Sequence, residues 1–233
     1  MASLIVGMGQ VGNGLFKVLL GKVKVIARDT TTTGIVGEVD VMHICIPYSD
    51  KFEKAVKDYI KLYNPGITIV YSTVPIGTCE KLGVIHSPIE GRHPELAKSI
   101  LSAPRWLGSS DRDKLKVAKN FWEKLVPVRE MPSADFTEWL KLRSTAKYGV
   151  NIAWADYEAE VSKKIGLDFS AVKQFDMDYN LLYDNLEMKQ FKRYILDAPN
   201  GVIGGHCVVP NAKMLDKQHP NDWLKKIIKM EKK

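Results

Sequence analysis

The sequence predicts an α/β fold, in which a doubly wound parallel sheet is followed by a smaller all-helical domain. Over roughly residues 1–128, short apolar runs typical of strands covered on both faces alternate with segments of helical periodicity. A glycine-rich turn ends the first apolar run and opens the first helix. Beyond residue 132 the strand signals stop and a long helical pattern begins. We therefore expect a sheet domain over 1–128 and a helical domain over 129–233.

The individual elements follow from the spacing of apolar residues and from the residues that interrupt it. Strands are predicted at residues 3–6, 23–27, 39–46, 67–71, 84–86, 105–107 and 126–129. Helices are predicted after the glycine turn, over 50–63 and over 114–125. Ser133 or Asp135 can cap a long helix that runs to Lys164 and stops before Gly166. Such a helix is a natural bridge between the domains, and only short helical stretches are readable after it.

Composition excludes several classes of function. Hydrophobic residues at 45% and charged residues at 26% are ordinary for a soluble protein, and no apolar run reaches the roughly 20 residues that span a bilayer. The N-terminus lacks the pattern of a signal peptide, so we expect a cytoplasmic protein. Much of the net charge of +7 comes from lysines near the C-terminus, which we interpret as a solvated tail. The sequence shows no recognisable nucleic-acid-binding module. Those lysines are Lys225, Lys226, Lys229, Lys232 and Lys233.

Glycines at three positions form the signature of a dinucleotide-binding turn. Gly7 permits a tight turn after the first strand, Gly9 lets the backbone approach a pyrophosphate, and Gly12 lets the helix pack against the strand. The start of the helix then offers unpaired amides and a positive dipole end to the phosphates. The pattern predicts a Rossmann-type cofactor site.

The end of the second predicted strand indicates which dinucleotide is bound. Asp29 can accept hydrogen bonds from the adenosine ribose, which favours NAD. Arg28 beside it could instead pair with a 2′-phosphate, and the polar run at residues 30–33 adds hydroxyls, so NADP stays open.

The three cysteines have neither disulfide nor metal-ligand spacing, so no metal site is predicted. Cys45 lies inside a predicted strand and Cys79 near a helix start, and both are interpreted as small buried side chains. Cys207 follows Gly204 and Gly205, which leave the backbone free to approach a ligand. An exposed thiol among amides could be held as a reactive thiolate, so Cys207 is the candidate nucleophile.

Five segments together resemble the UDP-glucose and UDP-N-acetylmannosamine dehydrogenases, which are nucleotide-sugar 6-dehydrogenases of the 6-phosphogluconate dehydrogenase-like group. The match covers about residues 1–215, and GGHC with STVPIGT is its most specific part. The segments are 7–12 (GMGQVG), 41–47 (VMHICIP), 72–78 (STVPIGT), 138–152 (EWLKLRSTAKYGVNI) and 204–210 (GGHCVVP).

The resemblance implies a four-electron oxidation of a sugar C6 alcohol, with two NAD and a thioester on Cys207. It implies that Lys141 stabilises the developing oxyanion. It also implies a homodimer built through the long helix and a small-molecule substrate, possibly a UDP-sugar. The residues that it assigns to cofactor binding are Gly7, Gly9, Gln10, Val11, Gly12, Asp29, Pro47, Ser72 and Thr73.

This sequence departs from the family's pattern at three catalytic positions. Thr145 occupies the position where the family usually has an asparagine that helps the lysine to stabilise the oxyanion. Asn211 replaces an aspartate that orients or activates water, and an amide cannot act as a base. Glu90 matches the family's carboxylate only with a shift of one residue.

The architecture departs from the family as well. The stretch after Asp29 is too short for the helix and strand that the family has there. The chain is also expected to be a short form without the C-terminal UDP-binding domain.

Three functions therefore remain open. The first is a dehydrogenase acting on a nucleotide sugar or another polar alcohol. The second is a protein that binds NAD but has lost the chemistry, which Thr145 and Asn211 motivate. The third is a dehydrogenase of the 3-hydroxyisobutyrate type, against which the GGHC loop argues.

Overall fold

The computed structural model describes residues 1–29, 37–91 and 94–231, and it divides into two compact units, Met1–Lys141 and Leu142–Lys233. The predicted polar run at 30–33 and the last two lysines lie outside the described residues. The first unit contains a seven-stranded sheet. Its strands are β1 (Ala2–Val6), β2 (Lys24–Arg28), β3 (Val41–Ile44), β4 (Ile67–Val70), β5 (Ile85–His86), β6 (Arg105–Gly108) and β7 (Val128–Met131).

The strand order is β2-β1-β3-β4-β5-β6-β7. All neighbouring pairs are parallel except β5 and β6, which pair antiparallel through His86 and Gly108. The chain runs outward from β1 to β2 and then returns to β3 on the other side of β1. The direction of winding therefore changes between β1 and β3, and ligands of such sheets lie at the carboxyl ends of the strands that flank this point.

Helices cover both faces of the sheet, which confirms the doubly wound architecture. They are α1 (Gln10–Leu19), α2 (Phe52–Tyr63), α3 (Thr78–Leu82), α4 (Leu96–Leu101) and α5 (Arg112–Trp122). One apolar cluster joins the sheet to α1, α4 and α5, with Leu15 and Trp122 fully buried. A second cluster on the opposite face contains Phe52 and Val56 of α2. The start of α3 agrees with the helix start expected near Cys79, whereas the short helix α4 was not predicted from the sequence.

The long predicted helix is α6 (Ala134–Lys164). The side chain of Ser133 accepts a hydrogen bond from the Asp135 amide at 3.1 Å, so Ser133 provides the cap. Gly166 follows in the left-handed conformation, with φ +73°, and ends the helix as expected. The first unit extends to Lys141, since β7 continues the sheet beside β6 and the first turns of α6 belong to the same unit.

The described part of the second unit is helical apart from one isolated bridge between Ile203 and Glu231. It contains the remainder of α6, then α7 (Phe169–Asn185), a 3₁₀ turn (Lys189–Phe191), α8 (Val208–Gln218) and α9 (Asp222–Lys229). The 17 residues of α7 exceed the short stretches that the sequence suggested. Lys225, Lys226 and Lys229 are exposed, as expected of solvated charges, but they lie in the helix α9 and not in a tail. Leu224 and Ile227 bury the other face of this helix. No helix among the described residues is long and apolar enough to cross a membrane.

Candidate functional site

The glycine turn lies at the carboxyl end of β1, where the winding of the sheet reverses. Gly7 has φ +92°, and a Cβ there would lie 2.9 Å from the Cys45 carbonyl, so both backbone and space require glycine. A Cβ on Gly12 would overlap the Gly7 carbonyl oxygen. In contrast, a Cβ on Gly9 would meet nothing within 4 Å. Gly7 and Gly12 thus hold the turn together, while Gly9 faces open space that a ligand can enter.

The start of α1 is suited to an anion. Its N-cap is Gly9, and no side chain accepts a hydrogen bond from the first amides of the helix. Gln10 is exposed and Val11 half-buried beside it. The Asn13 amide group donates to the carbonyls of Met8 and Gly9, which fixes the turn without occupying the helix start. Free amides and the helix dipole together favour an anion at this end of α1, as the sequence predicts for a pyrophosphate.

Asp29 is exposed directly after β2, at the same edge of the sheet. Arg28 is engaged with α2, since its guanidinium lies 5.4 Å from the centre of the Tyr63 ring. Within the described residues β2 is the edge strand of the sheet, and residues 30–36, which follow Asp29, lie outside them. Asp29, the candidate partner of the ribose, lies at the end of this edge strand.

The loops after β3 and β4 meet beside the glycine turn. The Ser72 hydroxyl donates to the Ile46 carbonyl at 2.5 Å, which links the segment of Ser72 and Thr73 to the residue before Pro47. The Gly7 backbone touches the chain at Cys45 and Ile46. The structure thus brings the cofactor residues predicted after β1, β3 and β4 to one edge of the sheet.

Two buried residues that sequence reasoning missed support these loops. Glu138 in α6 is fully buried and accepts hydrogen bonds from the amides of Gly77, at 2.6 Å, and Cys79, at 2.8 Å. Burial raises the pKa of Glu138, an effect that these hydrogen bonds oppose. The second residue is His86, whose pKa burial lowers to about 3, so that its ring is neutral. The position of Glu138, one turn before Lys141, was the only sequence signal.

Lys141 is also held in the first unit. Its ammonium donates to the Ile89 carbonyl at 2.6 Å and lies 3.3 Å from a carboxylate oxygen of Glu90. The Lys141 side chain is 18% exposed and that of Glu90 60%, so the lysine is ordered by the carbonyl more than by the ion pair. The predicted residues Lys141 and Glu90 are therefore in contact.

Cys207 is the N-cap of α8 and is exposed. Gly205 has φ +85°, and the Ile203 amide donates to the Met230 carbonyl at 2.7 Å, which anchors the loop. Burial raises the pKa of Cys45 and of Cys79 well above the ordinary value. They remain thiols at neutral pH, as their interpretation as packed side chains requires.

Thr145 and Asn211, the two catalytic departures, contact each other in the second unit. The Asn211 amide group lies 3.3 Å from the Thr145 hydroxyl oxygen and can donate to it. The Asn211 backbone amide donates to the Cys207 carbonyl at 3.1 Å, in the first turn of α8. Asn211 is buried, so its side chain is fixed by this pairing. Among the described residues no group of three or more histidines, cysteines or acids is arranged to hold a metal ion.

The fold and the glycine turn define a Rossmann-type α/β protein of the kind found in dehydrogenases. The comparison of sequences then gives a particular relative, the UDP-N-acetyl-D-mannosamine dehydrogenase of Methanocaldococcus jannaschii, 24% identical over 198 residues. The match covers 73% of this chain but only 43% of that relative. No family model matches. The resemblance to nucleotide-sugar dehydrogenases seen in the sequence is thereby confirmed.

Solved structures share the fold at low sequence identity. UDP-D-ManNAc dehydrogenase from Pyrococcus horikoshii superposes with a TM-score of 0.82 and 16% identity, covering 99% of this chain and 68% of that one. A UDP-glucose dehydrogenase from Pyrobaculum islandicum gives 0.76 and 16%, with 98% and 67% covered. The 3-hydroxyisobutyrate dehydrogenase of Mycobacterium tuberculosis gives 0.70 and 13%, with 97% and 90% covered.

Proposed function

We propose that the chain is an NAD-dependent dehydrogenase that oxidises an alcohol, with a nucleotide sugar as the substrate class. The observation that supports this most directly is the uncapped start of α1 behind Gly9, at the point where the winding of the sheet reverses. Its free amides and open space fit a dinucleotide pyrophosphate, and Asp29 fits the ribose. The relative, a UDP-N-acetyl-D-mannosamine dehydrogenase, supports the substrate class.

The residues of the chain supply distinct parts of the chemistry. NAD, when bound, accepts a hydride from the substrate carbon. The Lys141 ammonium, held at the Ile89 carbonyl, stabilises the negative charge that develops on the substrate oxygen. The Cys207 sulfur would then add to the aldehyde carbon to give a thiohemiacetal, and transfer of the hydride from that carbon to a second NAD would leave a thioester on the sulfur. Water cleaves the thioester to give the carboxylate and returns the thiol.

The second candidate is a protein that binds NAD but no longer completes this chemistry. It is favoured by the contact between Asn211 and Thr145, which puts an amide and a hydroxyl together without a carboxylate. Neither group can take a proton from water, so thioester hydrolysis lacks an evident base. The third candidate, a 3-hydroxyisobutyrate-type enzyme, is favoured by the coverage of 90% of that neighbour.

We also propose that the helical unit forms a homodimer. Large apolar side chains are exposed along α6 and α7, and the buried positions of α7 include no apolar residue. A surface of this kind is typical of a protein interface. The exposed residues are Trp154 and Tyr157 in α6, Ile165 directly after it, Phe175, Leu181 and Leu182 in α7, and Leu186 directly after α7.

The test is an assay with the purified chain, NAD or NADP and a panel of UDP-sugars, in which NADH formed is counted per acid released. Two NADH per acid is the ratio of the complete four-electron oxidation, and slow acid release is expected to raise the ratio above two. NADH titration by fluorescence, run beside it, separates the candidates. Binding without turnover of any alcohol favours the second candidate, and failure to bind either dinucleotide contradicts the first two.

A further inference from the structure

Residues 72–79 connect β4 to α3 and include the first two residues of α3. This segment 72–79 forms one wall of the proposed cofactor site. Within the described structure, three residues in the first turns of α6 form side-chain hydrogen bonds to this segment, to β5 or to the loop after β5. They are Thr137, Glu138 and Lys141, and all belong to the first unit. Their side chains reach residues 51 to 61 positions earlier in the sequence, so these contacts join distant parts of the chain.

Glu138 makes the strongest of these contacts. Each carboxylate oxygen accepts one backbone amide, that of Gly77 at 2.6 Å and that of Cys79 at 2.8 Å, and the residue is fully buried. Gly77 is in the left-handed conformation with φ +92° and has no side chain that could cap α3. Hydrogen bonds to a charged acceptor are short and strong, and they offset part of the effect of burial, which still raises the pKa of Glu138. The start of α3 is therefore ordered by a residue of α6.

The contact is reciprocal. Glu80 in α3 accepts the backbone amide of Ala134, the first residue of α6, at 2.6 Å, and that of Ser110 at 3.0 Å. Partial burial would raise the pKa of Glu80, but these hydrogen bonds outweigh it and lower the pKa below its usual value. Each of the two helices thus provides a carboxylate for the free amides at the start of the other. We call these contacts of Glu138 and Glu80 the junction, and they fix α3 and the start of α6 against each other.

His86 holds the other end of the same segment. Its Nε2 lies 3.2 Å from the Ser72 carbonyl, and its Nδ1 lies 2.9 Å from the Thr137 hydroxyl. A carbonyl can only accept, so Nε2 bears the proton and Nδ1 can accept from the hydroxyl. Segment 72–79 is therefore fastened to α6 near both ends, at Ser72 through His86 and at Gly77 through Glu138.

We propose that Glu138 is a positioning residue that holds segment 72–79 in its cofactor-binding arrangement before the cofactor binds. The proposal rests on the proposed function, since that function gives Ser72 and Thr73 their role. Lys141 lies one turn further along α6 and binds the loop after β5. The helix α6 therefore positions both segment 72–79 and the proposed catalytic ammonium of Lys141. A loop that is ordered before the ligand arrives binds it without an entropic cost of ordering.

The alternative is that Glu138 only stabilises α3. The variant Glu138→Gln separates the two, because the amide group presents a donor to one of the two backbone amides and loses that hydrogen bond. The matched control is Asp111→Asn, since Asp111 accepts the Lys114 amide at 3.1 Å at the start of α5 and does not contact segment 72–79. Glu80→Gln is a second variant that weakens the same junction from the other helix.

The first measurement is NADH affinity by fluorescence titration. Glu138→Gln is expected to bind NADH about tenfold more weakly than the wild type, and Glu80→Gln to change in the same direction. Asp111→Asn is expected to stay within about twofold, because asparagine is an equally good cap. Wild-type NADH affinity in both junction variants would overturn the proposal.

The second measurement is amide hydrogen exchange of a peptide covering residues 72–82. In the wild type this peptide is expected to be protected without cofactor; in Glu138→Gln, protection is expected to fall and to return with saturating NADH, while α5 is unchanged. Equal protection in both proteins without cofactor would contradict the proposal. A wild type that binds no NADH but shows the protected segment would refute the proposed function and leave the contact itself intact.

Discussion

Gly9 and Gly12 lie three residues apart in one turn, yet the structure predicts opposite consequences for their substitution. A Cβ on Gly12 would overlap the Gly7 carbonyl oxygen and lie 3.0 Å from the Gly7 carbonyl carbon. The obstacle is backbone, which cannot swing aside as a side chain does. A Cβ on Gly9 meets no protein atom within 4 Å. Gly12→Ala should therefore damage the fold, whereas substitution of Gly9 should damage ligand binding.

The magnitudes follow from the two environments. Overpacking costs about 1–3 kcal/mol, and a contact with backbone lies at the upper end, while alanine regains up to about 1 kcal/mol of helix propensity. Gly12→Ala should thus lose about 2 kcal/mol and lower the Tm by about 4–8 °C for a chain of this size. Gly9→Ala changes only an N-cap and should cost less than about 1 kcal/mol.

Gly9→Asp tests the ligand side of the argument. A carboxylate about 4 Å from a bound phosphate is repelled by about 4 kcal/mol at an effective dielectric of about 20, so NADH affinity should fall at least about 100-fold. Thermal unfolding and NADH fluorescence titration measure the two effects separately. Wild-type NADH affinity in Gly9→Asp, or a loss of Tm in Gly9→Ala equal to that of Gly12→Ala, would refute the reasoning.

Four further outcomes are expected. Cys207→Ser should retain the first oxidation but stall before acid release, and the intact mass of the wild type with substrate and NAD should show an adduct confined to Cys207. Lys141→Met should slow NAD reduction about 100-fold with little change in NADH affinity, as stopped-flow and titration would measure. Burial lowers the pKa of His43 and of His86 to about 3, so the unfolded chain takes up protons below pH 6.5 before the folded chain does. Stability should therefore fall by about 2 kcal/mol per histidine between pH 6.5 and pH 5, and denaturant unfolding should show a smaller loss in His43→Gln. Light scattering at micromolar concentration should give the mass of a dimer, and a monomer would contradict that proposal.

Local sequence patterns were sufficient for the parallel strands and for the glycine turn. A buried strand needs only a short apolar run, and the turn needs glycine where φ is positive or where backbones touch, as at Gly7 and Gly12. The strand predicted at 39–46 is shorter in the structure, Val41–Ile44, although the Cys45 amide still donates to the Val6 carbonyl. Strand ends depend on pairing partners, which a single run of residues does not reveal.

Features that depend on distant contacts could not be predicted. The direction of β6 against β5 rests on a single pair, His86 and Gly108, and not on the composition of either strand. The helices α3 and α4 have five and six residues, too few for a periodic pattern. The helix α7 was not recognised as one long helix because its apolar residues follow no single face, and the residue that it buries is the polar Asn180.

In the candidate site, too, features that depend on neighbouring residues could be predicted, and features that depend on distant contacts could not. The residues of the cofactor turn are close in sequence, whereas Glu138 reaches Gly77 across 61 positions. Asn211 reaches Thr145 across 66 positions. Both contacts form because folding buries a backbone amide or a side-chain amide, which then needs a hydrogen-bond acceptor. The local sequence does not reveal this need.

The contact between Asn211 and Thr145 also divides the proposed chemistry into two parts with different requirements. Alcohol oxidation needs a bound dinucleotide and a cation for the oxyanion, and the first unit contains the glycine turn and Lys141 for these tasks. Acid release needs a nucleophile and a base for water; the second unit offers Cys207, but Asn211 binds Thr145 in place of a base. Loss of the second part would leave the first intact, because aldehyde formation requires no water. A chain with these residues is therefore expected to reduce NAD faster than it releases acid, and the ratio of the two rates measures how much the missing carboxylate matters.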